Sequence, residues 1–345
     1  MEKIIKRGSA LAMGVLTLAV ILTAVWLAEA RGSQEYEKPD VSGLSLMDYY
    51  NAQAESDEEM PEHHMRIELP EGMAQEHIKI KSDALSQTIV ITIPDIGMDY
   101  FSSHSLLGSS DHIDNLILGS EKEAGVIEIT TDEVYEVQSE VKDGWLYLDF
   151  VPPRELYEKV LVIDAGHGGG QPGAIKMGVQ EKDLNLAILL ELKSFLDRHP
   201  NWKVYYTRTE DEDISLDKRV QLANKTHANL FISIHSNATQ DGTMSDYNGT
   251  EVMYDEKKPL DGLSSKNLAQ ICLEETLAVS GSRDLGLTRG NSIYIIRTSQ
   301  VPVALVEVGF MTNEAELAKL NTAEYQKILA QGIYNGIVRA LEEGF

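Results

Sequence analysis

The chain has 345 residues, of which 43% are hydrophobic, and its formal net charge at pH 7 is -25. This length exceeds the usual size of one domain, and the hydrophobic content is sufficient for more than one buried core. So large an acidic surplus argues against a nucleic-acid partner, because few cations are available to neutralise phosphates. The charge is uneven: residues 31–150 carry 26 acidic and 7 basic side chains, whereas residues 151–345 carry 27 and 20. We therefore predict two different modules.

The first thirty residues have the pattern of an export segment. Three basic side chains within the first seven residues precede 19 uncharged residues at positions 10–28. The basic end stays in the cytoplasm, which places the rest of the chain outside. The uncharged stretch is close to the roughly 20 residues that span a bilayer, yet Ala28-Glu29-Ala30 also resembles a cleavage site. Residues 1–30 are therefore predicted to be a signal peptide or an anchor in the cytoplasmic membrane, and the protein to be extracytoplasmic.

The next two segments differ in pattern. Residues 31–62 are rich in Glu, Asp, Ser and Gln, which indicates a flexible acidic linker. In residues 63–152, apolar and polar residues alternate with a period of two, as in Gln87–Ile93 and Trp145–Val151. This alternation predicts a smaller all-β domain, an antiparallel sandwich or a small barrel. The pair His63-His64 could bind a metal, but beside a solvated acidic run we interpret it as having no metal-binding role.

A domain boundary is predicted at Pro152-Pro153, because strands then alternate with helices over residues 158–345. This alternation predicts an α/β domain with a mostly parallel six-stranded sheet flanked by helices. The expected strands are Val160–Asp164, Lys203–Thr207, Leu230–Ile234, Thr250–Tyr254, Ile293–Ile296 and Val303–Val308. Helices are expected near residues 182–198, 215–227, 263–279 and 323–343, and a shorter one after Asn313.

Four ionisable residues are expected at one edge of this sheet. His167 and His235 follow the ends of two predicted strands, Glu307 lies in an apolar strand, and Glu181 opens a helix. Active sites in such folds gather at the carboxyl ends of the strands, and two histidines with one carboxylate can hold zinc with an open fourth position. Each residue also has a structural interpretation: hydrogen-bonded packing for a histidine, the helix dipole for Glu181 and a paired core carboxylate for Glu307. The residues alone leave both interpretations open.

Several longer stretches resemble a known family, in the family's order. They are Val162–Gly169, Gln180–Leu186, Thr207–Thr209, Leu216–Asn224, Ser233–Ala238 and Val306–Asn313. From Lys159 to the C-terminus the chain resembles the zinc-dependent N-acetylmuramoyl-L-alanine amidases of the amidase 3 type. The resemblance implies that His167, Glu181 and His235 bind Zn²⁺ and that Glu307 is the catalytic acid/base. It also implies peptidoglycan as the substrate, cleaved between N-acetylmuramic acid and L-alanine.

The surroundings of this catalytic domain are less defined by the sequence. The region before it loosely resembles the AMIN-like β domains that often localise such enzymes on the wall, and a spacer without a ligand is the alternative. Some relatives insert a long helix over the zinc after the second histidine. Here only residues 236–249 separate His235 from the next strand, so we expect an open site unless a protein activator or the β domain covers it. Asp164 or Asn237 could orient a ligand histidine, although turn or capping roles are equally compatible.

Two other functions stay open at this point. Another wall-directed zinc peptidase or deacylase would share the metal ligands and differ in the bond that it cleaves. A non-catalytic wall-binding protein on the same fold would need none of the four residues, so the presence of all four counts against it.

Overall fold

The structure, a computed structural model, describes residues 63–109, 111–256, 259–260 and 263–345. The predicted signal or anchor at residues 1–30 and the predicted linker at residues 31–62 lie outside this range. None of the helices within it has the length and the apolar composition that crossing a bilayer requires. An all-β region comes first along the described chain, and an α/β region follows it.

The all-β region consists of two four-stranded antiparallel sheets. Their strands are β1 (Met65–Glu68), β2 (Lys79–Asp83), β3 (Thr88–Pro94), β4 (Leu106–Gly108), β5 (Ile113–Glu121), β6 (Ala124–Thr131), β7 (Glu136–Lys142) and β8 (Trp145–Val151). One sheet has the order β4-β1-β8-β7 and the other β2-β3-β6-β5. Alternate residues, such as Ile89, Ile91 and Ile93, are buried in a core that both sheets share. The period of two therefore buries one face of each sheet.

A six-stranded sheet organises the α/β region. Its strands are β9 (Lys159–Ala165), β12 (Trp202–Tyr206), β13 (Leu230–Asn237), β14 (Thr250–Tyr254), β17 (Asp284–Arg289) and β18 (Val303–Phe310). Four short strands outside this sheet form two hairpins: β10 (Ile175–Lys176) with β11 (Val179–Gln180), and β15 (Pro259–Leu260) with β16 (Leu263–Ser264). The order is β12-β9-β13-β18-β14-β17, and only the β18–β14 pair is antiparallel. The prediction of a mostly parallel six-stranded sheet flanked by helices is confirmed.

The helices cover both faces of this sheet. They are α1 (Pro153–Leu156), α2 (Glu181–Leu196), α3 (Leu216–Lys225), α4 (Ser265–Ser280), α5 (Tyr294–Thr298), α6 (Glu314–Leu320) and α7 (Ala323–Glu342). Leu161 and Ile163 of β9 pack with α2, α4 and α7 on one face. Val160 and Val162 pack with α3 and α5 on the other. Adjacent residues of one strand thus enter different cores, which explains the continuous apolar runs of the central strands.

The prediction of a strand at Ile293–Ile296 is wrong. Helix α5 occupies this position, and the sixth strand is instead β17, at Asp284–Arg289. A short apolar run does not distinguish a strand from a buried helix by its periodicity. Packing decides here, because Ile295 and Ile296 are buried in the core that α3 and α5 form over the sheet.

The all-β region contacts the α/β region at the amino edge of the large sheet. Val134 is buried in the core below α3, and its amide donates a 3.2 Å hydrogen bond to the carbonyl of Lys225, the last residue of that helix. Glu136 Oε1 lies 2.7 Å from both Lys203 Nζ and Tyr205 Oη on β12. Helix α3 starts near the carboxyl ends of the parallel strands and runs back toward their amino ends. Its last residue therefore lies at the amino ends of the strands, which we call the amino edge, and away from the predicted site at the carboxyl edge.

The close packing of α4 against α7 provides a test of the fold. A Cβ atom on Gly332 of α7 would lie 2.7 Å from the Cα of Thr276 on α4, so Gly332→Ala forces the helices apart. We expect a loss of about 1–3 kcal/mol in the free energy of unfolding, measured by urea denaturation. Gly170→Ala is the control: its Cβ would have an ordinary 3.5 Å contact, and a change within about 0.5 kcal/mol is expected. Equal stability of the two variants would contradict this packing.

Candidate metal centre

Three predicted site residues meet at the carboxyl edge of the sheet. His167 lies just after β9, Glu181 is the first residue of α2 and His235 lies near the end of β13. Glu181 Oε1 is 3.1 Å from His167 Nε2 and 2.9 Å from His235 Nδ1. One donor atom from each residue lies within 4.8 Å of the other two. The fold therefore brings together side chains that are far apart in the sequence.

This group has the chemistry and the spacing of a zinc site. Two imidazole nitrogens and one carboxylate oxygen are the donors that zinc takes in catalytic sites, at distances of about 2.0–2.2 Å. Tetrahedral coordination at that distance separates the donor atoms by about 3.3 Å. The two separations from the Glu181 oxygen are 2.9 and 3.1 Å, and all three donor atoms lie within 4.8 Å of one another. Within the described part of the chain, no other group of three His, Cys, Asp or Glu residues has such spacing. The residues present therefore fit the metal.

Glu181 is a buried carboxylate whose two oxygens are both held. Oε2 accepts a 2.9 Å hydrogen bond from the amide of Ala174, and Oε1 also accepts 3.3 Å bonds from the Ser236 amide and Asn185 Nδ2. Burial alone would raise the pKa of Glu181, but the contacts with His167 and His235 outweigh it and hold that pKa well below its usual range. The side chain is thus ionised at neutral pH and ready to bind a cation.

His167 is held in an unusual backbone conformation. Its φ is 63°, in the left-handed region, and Gly168 and Gly169 that follow also have positive φ. A non-glycine residue in this region costs on the order of 1–3 kcal/mol and persists only where the surroundings impose it. The preceding Gly166 packs directly on the other histidine, because a Cβ there would lie 2.2 Å from His235 Nε2. The backbone at Gly166 therefore lies against the imidazole of His235, and no side chain fits between them.

Glu307 stands beside His235 on the sheet. In the strand register, Glu307 of β18 pairs with His235 of β13 on one side and with Glu251 of β14 on the other. Residues directly opposite one another point to the same face of a sheet. The Oε2 atom of Glu307 is buried and has no hydrogen-bond partner in the described structure. Burial, together with the nearby charges of Glu181 and Glu251, raises the pKa of Glu307 well above its usual range.

A buried carboxyl without a partner is destabilising, and such groups with perturbed pKa values cluster at functional sites. The sequence signal for this residue was an acidic side chain inside an apolar strand, and no ion pair within the described part of the chain explains it as a core residue. The interpretation of Glu307 as a paired core carboxylate therefore has no support among the described residues.

Sequence reasoning missed Glu251. Its two oxygens accept hydrogen bonds from Asn237 Nδ2 at 2.6 Å and from Thr288 Oγ1 at 2.8 Å. In the sequence it occupies an ordinary polar position of an alternating strand, and only the register shows that it adjoins Glu307. The suggestion that Asn237 or Asp164 orients a ligand histidine finds no support: Asn237 binds Glu251, and Asp164 binds Arg219, Thr207 and Ser233.

A His-Glu-His group that could hold a metal ion, at the carboxyl edge of an α/β sheet and with a partnerless carboxyl beside it, is the arrangement expected of a mononuclear metal hydrolase. Comparison with known proteins gives the family. The family model described as N-acetylmuramoyl-L-alanine amidase (Amidase_3) matches residues 161–339. The chain belongs to this family of peptidoglycan amidases.

Individual relatives agree with this assignment. The chain is 35% identical over 179 residues to the uncharacterized protein YqiI of Bacillus subtilis, covering 52% of this chain and 83% of YqiI. It is 36% identical over 180 residues to the N-acetylmuramoyl-L-alanine amidase LytC of the same organism, covering 52% of this chain but only 35% of LytC. The crystal structure of an N-acetylmuramoyl-L-alanine amidase from Clostridium difficile 630 superposes with a TM-score of 0.50 at 34% identity, covering 54% of this chain and 98% of that one.

The raised pKa of Glu307 predicts a pH-dependent effect on stability. The folded state binds the Glu307 proton more tightly than the unfolded chain, so folding is penalised increasingly as the pH rises above about 4.3, the ordinary glutamate value. Glu307→Gln removes this penalty. We expect the metal-free variant to melt at a higher temperature than the parent at pH 7, and the difference to vanish near pH 4.

Calorimetry in a chelating buffer would measure this difference. A gain of about 1 kcal/mol corresponds to roughly 2–4 °C in Tm for a domain of this size. Glu212→Gln, at an exposed loop position, is the control and should melt with the parent throughout. A Glu307→Gln variant that is less stable than the parent at pH 7 would contradict the electrostatic account.

Proposed function

We propose that the chain is a Zn²⁺-dependent amidase that hydrolyses the bond between N-acetylmuramic acid and the L-alanine of the peptidoglycan stem peptide. His167, Glu181 and His235 would hold the metal, and Glu307 would act as the acid/base. The observation that supports this most strongly is the register of β13 and β18, which sets the partnerless carboxyl of Glu307 beside the donor group. The family match supports the choice of bond.

When bound, zinc in this donor set supplies a Lewis acid that polarises a carbonyl and makes water a stronger nucleophile. His167 and His235 would bind it as neutral imidazoles and Glu181 as a carboxylate, a ligand set with a single negative charge. The low pKa of Glu181 keeps this ligand ionised, and its hydrogen bonds from Ala174 and Ser236 fix its orientation. These contacts do not depend on the substrate, so the ligand geometry is set beforehand.

Glu307 moves the proton in this mechanism. Its free Oε2 atom takes a proton from the attacking water, whose oxygen forms a bond to the lactyl carbonyl carbon. The same carboxyl then gives the proton to the alanine nitrogen as the carbon–nitrogen bond breaks, leaving a carboxylic acid and a free amine. One carboxyl can serve both steps, because it holds the proton between the attack of water and the departure of the amine.

An accessible site suits a polymeric substrate. Residues 238–249, between β13 and β14, form a loop without helix or strand, and 31% of the His167 side chain is exposed. The contacts of the all-β region lie at the opposite edge of the sheet. We further propose that residues 1–30 export the protein, as a cleaved signal or an anchor, and that the all-β region localises it on the wall.

Product analysis tests this function. Purified muropeptides are incubated with the full chain and with Glu307→Gln, and the products are identified by mass. The parent should release intact stem peptide with a free L-alanine amine, and Glu307→Gln should lower kcat by about 100- to 10,000-fold, the range expected for loss of an acid/base. Cleavage at another bond would favour a peptidase or deacylase, and metal binding without turnover would favour a wall-binding protein.

Metal content separates the ligand residues from the acid/base. We expect the parent and Glu307→Gln to carry one zinc per chain by elemental analysis, whereas His167→Ala and His235→Ala should lose it. A chelator should abolish the activity of the parent, and added Zn²⁺ should restore it. His227→Ala is the matched control, since this side chain is exposed and distant from the site. Full zinc content in either His167→Ala or His235→Ala would exclude this ligand set.

A further inference from the structure

Every backbone carbonyl of the segment Ala165–Gly169, which carries His167, accepts a hydrogen bond. Ala165 O accepts from Arg208 Nε at 3.0 Å and from Arg219 Nη1 at 2.7 Å. Gly166 O accepts from Arg208 Nη2 at 3.0 Å and from Asn185 Nδ2 at 3.2 Å. His167 O accepts from Arg219 Nη2 at 2.6 Å. Two guanidinium groups thus hold three consecutive peptide units.

The far end of the segment is held as well. Gly168 O accepts from the Gln171 amide at 2.9 Å, and Gly169 O accepts from Lys182 Nζ at 2.9 Å. Lys182 directly follows Glu181 and is paired with Asp211 at 2.6 Å. We call Arg208, Arg219 and Lys182, with the carbonyls that they bind, the carbonyl clamp.

Arg208 is the most unusual member of the clamp. Its side chain is only 2% exposed, and among the described residues it forms no ion pair. Its hydrogen bonds go to the carbonyls of Ala165, Gly166, Lys182 and Glu210. A buried cation without a carboxylate partner is strongly destabilising unless fixed dipoles replace its hydration. The guanidinium group of Arg208 therefore connects the loop that carries His167 to the first turn of α2, which carries Glu181. Each of these two segments provides one donor of the metal centre.

Arg219 connects the clamp to the third donor. Its Nη1 atom lies 2.5 Å from Asp164 Oδ1, while Asp164 Oδ2 accepts a 2.5 Å hydrogen bond from Ser233 Oγ. Ser233 lies on β13, two residues before His235. The clamp thus contacts the backbone on both sides of His167 and is linked to the strands that present the other donors.

We propose that Arg208 and Arg219 are positioning residues of the metal centre. They impose the left-handed conformation of His167 and hold it opposite Glu181 before the metal binds, so that metal affinity depends on them although neither touches the metal. This inference rests on the metal site proposed above. Lysine in place of either arginine keeps the charge but loses the fork that binds several carbonyls at once.

Cobalt binding tests this role in the full chain. The metal-free parent, Arg208→Lys and Arg219→Lys are titrated with Co²⁺, whose visible absorption reports the coordination geometry. We expect each lysine variant to bind Co²⁺ about 10- to 100-fold more weakly, the range found when outer contacts of metal ligands are removed, and its absorption spectrum to change. Gly332→Ala, destabilised remotely in the α4–α7 contact, should keep the affinity and the spectrum of the parent.

Each outcome decides between hypotheses. If the lysine variants bind Co²⁺ with parental affinity and spectrum, whatever their melting temperature, the positioning role is wrong. If the parent itself fails to bind one Co²⁺ per chain, the proposed metal site is wrong instead. If neither lysine variant folds, Lys182→Met tests the clamp at its rim by the same criterion, because Lys182 holds the carbonyl of Gly169 and pairs with Asp211 there.

Discussion

The buried carboxylate of Asp164 joins the elements on which the candidate site depends. Its two oxygens bind Arg219 of α3 at 2.5 Å, Thr207 after β12 at 2.6 Å and Ser233 of β13 at 2.5 Å. Burial alone would raise the pKa of Asp164, but Arg219 and the two hydroxyls outweigh it and hold that pKa below its usual range. A buried ion pair adds little net stability compared with apolar packing. Its contribution here is positional, because one carboxylate contacts groups on α3, on β13 and directly after β12.

The same edge of the sheet holds interactions that oppose folding. His167 occupies a left-handed backbone conformation, and Glu307 carries a buried oxygen without a partner. Both features are unfavourable locally and persist because apolar cores on both faces of the sheet hold the strands in place. When unfavourable backbone conformations and unpaired buried polar atoms occur together in an otherwise well-packed fold, they indicate a functional site. The four residues of the proposed mechanism lie where these features concentrate.

The two regions of the described chain meet at the edge opposite to this site. Glu136 of the all-β region binds Lys203 and Tyr205 of β12, and Val134 enters the core below α3. Among the described residues, these contacts leave the carboxyl edge of the sheet uncovered, and no helix follows His235 in the loop at residues 238–249. Because the substrate of a peptidoglycan amidase is a polymer, this arrangement allows the peptidoglycan chain to approach the site without displacing the all-β region.

The order of strands and helices could be predicted from the amino-acid pattern, because burial on one or two faces leaves a periodic signal. The same pattern predicted that His167, Glu181, His235 and Glu307 reach one edge, since the carboxyl ends of parallel strands converge there. The exceptions in the large sheet were Ile293–Ile296, a run too short to distinguish a strand from helix α5, and the strand β17 at Asp284–Arg289, which was not predicted.

Only the tertiary structure decided which side chains support this site. The fully buried position of Arg208, the left-handed φ of His167 and the place of Glu251 beside Glu307 have no periodic signature. Each depends on contacts between residues that are tens of positions apart. Such contacts follow from the order and register of the strands, which the period of a sequence does not encode. The sequence thus determined the elements and the candidate metal ligands, and the packing of those elements determined how the ligands are held.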